Sequence, residues 1–309
     1  MEKNIKYTFD LTKMFKDFDD FNNNLNDIKK YFTKIDTFKG KLSKKEFLLN
    51  YFKLMSEIKT KIYSLSTYIL LSSDLRMNDN DIKICKDSFE NLSNEFSILL
   101  VPIEVELSKL DDNFLDECIL DNDFINYKLK IESIKRNKSH TLSEKEENVF
   151  ALMDEFSSGF EDVYTNIMNN DLKYEPVMVD GKLEKLTNSN FISFLKNPNV
   201  EVRKQAYLNV NKAIDNRANS AISSFIYKLK MECFDLQLRN YGSVLDTALE
   251  DEQIPKEVYY KLIDKTEKNV SLIERYNKIK KQALNLDHYY AYDSYLPISK
   301  NVDKNLSIE

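Results

Sequence analysis

The chain has 309 residues, 42% hydrophobic and 31% charged, with only 4 glycines and 5 prolines. So long a chain can bury a substantial core without disulfide or metal staples, and so few backbone breakers favour long helices. Forty-five basic residues against 51 acidic ones give a formal charge of −6, mixed in sign along the sequence, which excludes strong bulk attraction to nucleic acid or anionic lipid. Gly40, Gly159, Gly181 and Gly242 are scattered too widely to form a glycine-rich phosphate cradle. Cys85, Cys118 and Cys233 stand singly, away from both histidines, so neither a disulfide framework nor a compact Cys/His zinc site is expected. With no signal-type segment at the start and no run of about 18 apolar residues, the expectation is a cytoplasmic protein with no membrane and no nucleic-acid partner.

Tyr7 to Leu11 reads as a short extended segment leading to a first helix near Asp17. Phe18, Phe21, Leu25, Ile28 and Phe32 then recur at the spacing of one helix face, and Gly40 breaks the pattern. Ser43-Lys44-Lys45-Glu46 has the form of a capping box, predicting a long helix with the stripe Phe47, Tyr51, Leu54, Ile58, Ile62, Leu65 and Ile69. It ends in the polar stretch Met77 to Asp81. A second run through Ile82, Phe89, Leu92, Phe96 and Leu99 meets Pro102, a kink or a boundary. Two successive helices so connected should pack antiparallel. Leu110 to Arg136 is helical with an interruption near Asp121 to Asp123. Ser143 to Glu146 repeats the capping box ahead of Val149, Leu152, Met153, Phe156, Phe160, Val163 and Ile167, a helix over about 143–169.

The texture changes at Asp171. Between Tyr174 and Glu184, Asp180-Gly181 forms a two-residue turn flanked by short extended segments, the pattern of a hairpin. After Pro198 a long helical tract runs from Val200 to Asn240, and Pro255 opens another helix carrying Val258, Leu262, Thr266, Val270, Ile273, Tyr276 and Ile279. His288 to Ile308 is aromatic and extended. The predicted architecture is mainly α: long antiparallel helices in two lobes with a small β-hairpin. A helical lobe covers residues 1–140, and a second helical region covers 141–309 with the hairpin near 174–187. The aliphatic residues of the stripes are assigned to the core.

Chemistry is sparse. His140 lies between a basic run and a helix start, where a surface or capping role accounts for it. His288 precedes Tyr289, Tyr290, Tyr292, Asp293 and Tyr295, a cluster read as packed, hydrogen-bonded tyrosines. The acidic groups Asp111-Asp112, Glu144-Glu146-Glu147 and Asp251-Glu252 read as solvated helix faces. No His-Glu-x-x-His segment occurs, so no catalytic and no metal-binding residue is assigned, and the substrate-binding residues are unassigned. Arg239, Tyr241 and Ser243, near a break at Gly242, mark a junction at which Arg239 forks to a carboxylate of a neighbouring helix and Tyr241 packs across the lobe interface, with substrate binding as the alternative. Arg203 and Arg217 carry a similar ambiguity. The structural candidates are therefore Ser143, Glu146, Asp180, Gly181, Arg239, Tyr241 and Gly242.

The order of Leu142-Ser143-Glu144-Lys145-Glu146-Glu147, Val179-Asp180-Gly181-Lys182, Leu186-Thr187 and Asn199-Val200-Glu201-Val202-Arg203-Lys204 resembles the amino-terminal half of oligoendopeptidase F. Leu238 to Leu245, Ile254 to Tyr259 and Tyr292-Asp293 agree in the same order, and the resemblance covers almost the whole chain. It departs at Ala283-Leu284-Asn285-Leu286, where the family often has glycine. The resemblance implies the amino-terminal part of a thimet-oligopeptidase-like fold and a zinc-dependent cytoplasmic endopeptidase that digests short peptides in an enclosed cleft. It implies zinc held by a His-Glu-x-x-His helix and a distal glutamate in a carboxy-terminal catalytic region, in cis or as a separate piece. On that reading this chain forms one cleft wall, binds no cofactor itself and is inactive alone. A non-catalytic helical interaction module is the alternative.

Overall fold

The computed structural model describes residues 10–76, 79–250 and 252–298. Residues 7–9 of the first extended segment, Met77 and Asn78, Asp251, and residues 299–308 of the final segment lie outside them. The chain divides into two compact units, residues 1–156 with 235–241 and residues 157–234 with 242–309. The boundary expected at residue 140 falls inside the first unit.

In the first unit, α1 (Phe18–Asp36), α2 (Lys45–Leu75) and α3 (Asn80–Ser108) pack against one another, and α4 (Asp112–Leu120) and α5 (Lys128–Asn137) follow with a 3-10 segment between them, Asn122–Tyr127. Asp17 starts α1 by accepting from the Asp20 amide, and Asp111 and Asp121 cap the next short elements in the same way. Lys29 to Glu95 and Gly40 to Glu106 share one sequence offset, so α1 and α3 run parallel in a fixed register with α2 returning between them. Phe21, Ile28, Ile58, Leu92, Ile103 and Leu115 are buried in one continuous core.

Two expectations in this unit need correcting. The box at Ser43 does not form: Lys44 is the N-cap, without a side-chain hydrogen bond, and α2 begins at Lys45. The Glu106 carboxylate accepts instead from the Gly40 and Leu42 amides, at 2.6 and 2.8 Å, and fixes the turn so that the helix starts later. Gly40 has φ +73°, which its missing Cβ allows. Pro102 is no boundary, because α3 passes through it with Leu100, Val101, Ile103 and Val105 buried around it. Tertiary packing there outweighs one lost backbone hydrogen bond.

Helix α6 (Glu144–Thr165) begins in the first unit and continues into a π-helical turn, Asn166–Asn170, in the second. Next come β1 (Val177–Val179) and β2 (Lys182–Glu184), antiparallel with Val179 opposite Lys182. Asp180 at φ 48° and Gly181 at φ 78° supply the paired left-handed conformations of a tight hairpin turn. Helices α7 (Phe191–Leu195) and α8 (Val200–Asp215) pack on this hairpin, and Val177, Leu186, Phe194, Val202 and Ala206 form a small core. The tract expected to run unbroken from Val200 is two helices, α8 and α9 (Ala218–Leu238). Arg217 donates to the Asp171 and Ala213 carbonyls at the break, a long-range tie that no glycine or proline announces. Helices α10 (Val244–Glu250), α11 (Lys256–Lys268) and α12 (Val270–Ala283) complete the set, so the helix expected after Pro255 is likewise two. A 3-10 turn, Ala291–Asp293, is the last described element.

Candidate functional site

The first unit carries a half-open cavity of about 270 Å³ between α3, α5, the start of α6 and the turn after α9. Leu107 and Ile134 are its buried apolar lining, and Glu104, Lys130, His140, Glu147, Arg239 and Tyr241 supply its polar wall.

The turn that delivers Arg239 and Tyr241 is built by Asn240, whose φ of 61° ends α9 in the left-handed region. The Tyr241 amide donates back to the Leu236 carbonyl at 3.1 Å, closing the C-terminal motif that such a residue permits. Gly242 is therefore not the turn residue. It lies in the second unit, where a Cβ would come within 3.0 Å of the Asp246 carboxylate. Ser243 and Asp246 cap α10 reciprocally, and Lys256 binds the same carboxylate.

Arg239 is held by several partners. Its two terminal nitrogens donate to the two Glu147 oxygens at 2.7 and 2.9 Å, its Nε donates to Asp235 at 2.8 Å, and its guanidinium lies over the Phe150 ring. The planar fork matches a carboxylate as lysine could not. Burial pushes the Glu147 carboxyl up, but the Arg239 bonds and the Leu142 amide outweigh it and leave its pKa below the usual glutamate value. The Glu147 bonds in turn raise the Arg239 pKa. Glu104 keeps an exposed edge, yet the desolvation of its carboxyl, with the nearby Glu147 charge and against Lys130, raises its pKa.

His140 completes a reciprocal clamp: its Nδ1 lies 2.7 Å from the Arg239 carbonyl, while Arg239 Nη1 donates to the His140 carbonyl at 3.3 Å. A carbonyl only accepts, so Nδ1 carries the proton. The imidazole stacks on Tyr241 with centroids 3.8 Å apart and planes 8° from parallel. Tyr241 thus packs within the first unit. The clamp joins residues 99 positions apart in sequence, and Glu147, read from sequence as a solvated acid, is the partner that spacing could not reveal.

The other structural candidates are Ser143, Glu146, Asp180 and Gly181. Glu146 accepts from the Ser143 amide and hydroxyl at 3.0 and 2.6 Å, ahead of α6. Asp180 and Gly181 form the hairpin turn in the second unit, so the structure does not gather the candidates into one site. Chemically the cavity is a charge-balanced, hydrogen-bonded junction. Among the described residues no group of three or more His, Cys, Asp or Glu side chains could hold a metal ion. No helix among them is long and apolar enough to cross a membrane.

Comparison with known proteins accounts for the fold. The family model described as Oligopeptidase F matches residues 106–174, and that of Peptidase family M3 matches residues 193–308. Oligopeptidase PepF of Bacillus subtilis is 26% identical over 305 residues, which cover 98% of this chain and 46% of the relative. An oligoendopeptidase F homolog of Borreliella burgdorferi is 27% identical over 84% of this chain and 42% of its own length. The crystal structure of oligoendopeptidase-F from Enterococcus faecium superposes with a TM-score of 0.82 at 22% identity, covering 91% of this chain and 56% of that one. The chain thus spans about half the length of the curated relatives it matches. Matched in order by both models and aligned along nearly its whole length, it belongs to the oligoendopeptidase F family within peptidase family M3.

Proposed function

We propose that this chain is the amino-terminal portion of a zinc-dependent oligoendopeptidase acting on short peptides in the cytoplasm. It forms one wall of the peptide cleft, and the zinc and the chemical step belong to a carboxy-terminal region. The observation that carries this reading is the collinear match over 98% of this chain but 46% of the relative.

The residues present do not fit a zinc centre. His140 and His288 are the two histidines of the chain. The Nδ1 proton of His140 is held by the Arg239 carbonyl, and no set of three metal-ligating side chains converges among the described residues. No step of peptide cleavage is therefore assigned to them.

The test is the 309-residue chain incubated with zinc and a varied set of internally quenched short peptides, beside the same chain extended by its downstream coding sequence. The expected outcome is zinc-dependent cleavage by the extended protein and none by the short one. Robust turnover by the purified short chain, or a downstream sequence with no His-Glu-x-x-His helix, overturns the proposal.

A further inference from the structure

Helices α11 and α12, in the second unit, expose nearly everything they carry. Val258, Leu262, Leu272, Ile273, Tyr276 and Ile279 are each at least half exposed, α11 buries no residue, and α12 buries only Lys280. Leu272, Tyr276 and Ile279 follow one helical stripe. Helices of 13 and 14 residues are marginal in water unless an apolar face packs against something.

What holds α12 is polar. Arg203 of α8 donates from Nε and Nη2 to Asp293 at 3.0 and 2.6 Å, with both side chains almost wholly buried. Arg203 Nη1 also takes the Asn197 and Pro198 carbonyls, and the second Asp293 oxygen takes the Tyr290 amide. The next residue, Ser294, accepts from Lys280 of α12. The strap at 290–294 therefore ties the end of α12 to the start of α8 without covering the apolar stripe.

We propose that the apolar faces of α11 and α12 are the docking surface for the downstream half of the polypeptide, and that the strap holds α12 ready for it. The proposal rests on the reading of this chain as an amino-terminal portion. Two observations select that occupant. The relatives carry about as much chain again as this one aligns with. A second copy is disfavoured by charge, since residues 256–283 hold eight basic side chains against four acidic ones and would face their own sign.

The experiment compares hydrogen exchange over 256–283 in the 309-residue chain and in the chain extended by its coding sequence to the relatives' length. Exchange should slow about tenfold or more in the extended protein. Leu262→Glu and Ile273→Glu, neutral to folding in the short chain because both sites are open, should abolish that protection, whereas Leu70→Glu on an exposed face of α2 should not. An extended protein that cleaves peptides while 256–283 exchanges as fast as before overturns the docking surface and leaves the functional reading intact. A coding sequence that ends without a downstream half overturns both. Sedimentation of the short chain as a dimer that Ile273→Glu dissolves gives the surface to a second copy and also overturns the proposal.

Discussion

Leu48, Tyr51, Ile58 and Leu65 follow one another along α2 at helical spacing and are at most 4% exposed. Leu272, Tyr276 and Ile279 follow one another along α12 at the same kind of spacing and are 50 to 57% exposed. The sequence pattern does not distinguish the two helices, because amphipathicity states only that a face needs covering. In the first unit α1 and α3 cover it. In the second, α12 is tied down through Lys280 to the strap that Asp293 and Arg203 anchor, so that part of the unit rests on a few polar contacts beside a small core around the hairpin.

The sharpest way to break this contrast is to remove an anchor. Asp293→Ala leaves the Arg203 guanidinium buried without its counter-charge and should cost about 3 to 5 kcal/mol. Thermal unfolding with a probe in the second unit measures it, and loss confined to that unit is expected. An unchanged transition would show that the strap does not hold α12. The reciprocal pair Arg203→Met with Asp293→Leu should recover most of the loss, since it removes both charges together.

One substitution made in both regions sharpens the comparison further. Leu115→Ala, at a site with no exposure in the first unit, should cost about 2 to 5 kcal/mol, while Leu262→Ala on α11 should stay within about 0.5 kcal/mol. Equal losses in equilibrium denaturation would mean that α11 is covered in solution.

A smaller loss is expected at the polar junction. Arg239→Ala should destabilise the first unit by about 1 to 3 kcal/mol, less than for a fully buried pair because solvent reaches both partners. The pH dependence has a definite sign. The Glu147 pKa is lower in the folded chain, so its contribution is complete above the usual glutamate value and fades as pH falls through the depressed one. Denaturation of wild type and Glu147→Gln should accordingly give curves that differ at neutral pH and converge in acid. Parallel curves would remove Glu147 from the linkage.

How much of this was legible depended on sequence distance. The helices, the Asp180-Gly181 hairpin and the fork of Arg239 to a carboxylate follow from residue type and local spacing. The identity of that carboxylate, the Asp293 partner of Arg203 and the Glu106 hold on Gly40 lie 66 to 92 positions away and leave no local trace. The breaks at Asn216 and Asn269 were hidden because neither glycine nor proline marks them. Asn285 shows the same substitution of chemistry: at φ 51° it ends α12 where the family often has glycine, and the Leu286 amide closes the turn onto Lys281.

The two capping-box patterns provide the smallest and most local test. Ser43→Ala should leave stability unchanged, because Lys44 occupies the cap and Glu106 organises the turn. Ser143→Ala should cost about 0.5 kcal/mol, the low end for an N-cap. The reason is geometric: the Glu146 amide reaches the Ser143 hydroxyl at only 3.5 Å, and most of the cap runs the other way, from the Ser143 amide and hydroxyl into the Glu146 carboxylate. Alanine keeps the amide half of that bond and loses the hydroxyl half. Unlike α2, α6 carries Val149 and Leu152 on an exposed face, so burial does less to hold its first turns and the cap should be felt there. Hydrogen exchange of the amides at 144–148, with chemical denaturation alongside, measures the difference. A Ser143→Ala chain that exchanges and unfolds as wild type does would show that the Ser143 hydroxyl does not help to fix the start of α6.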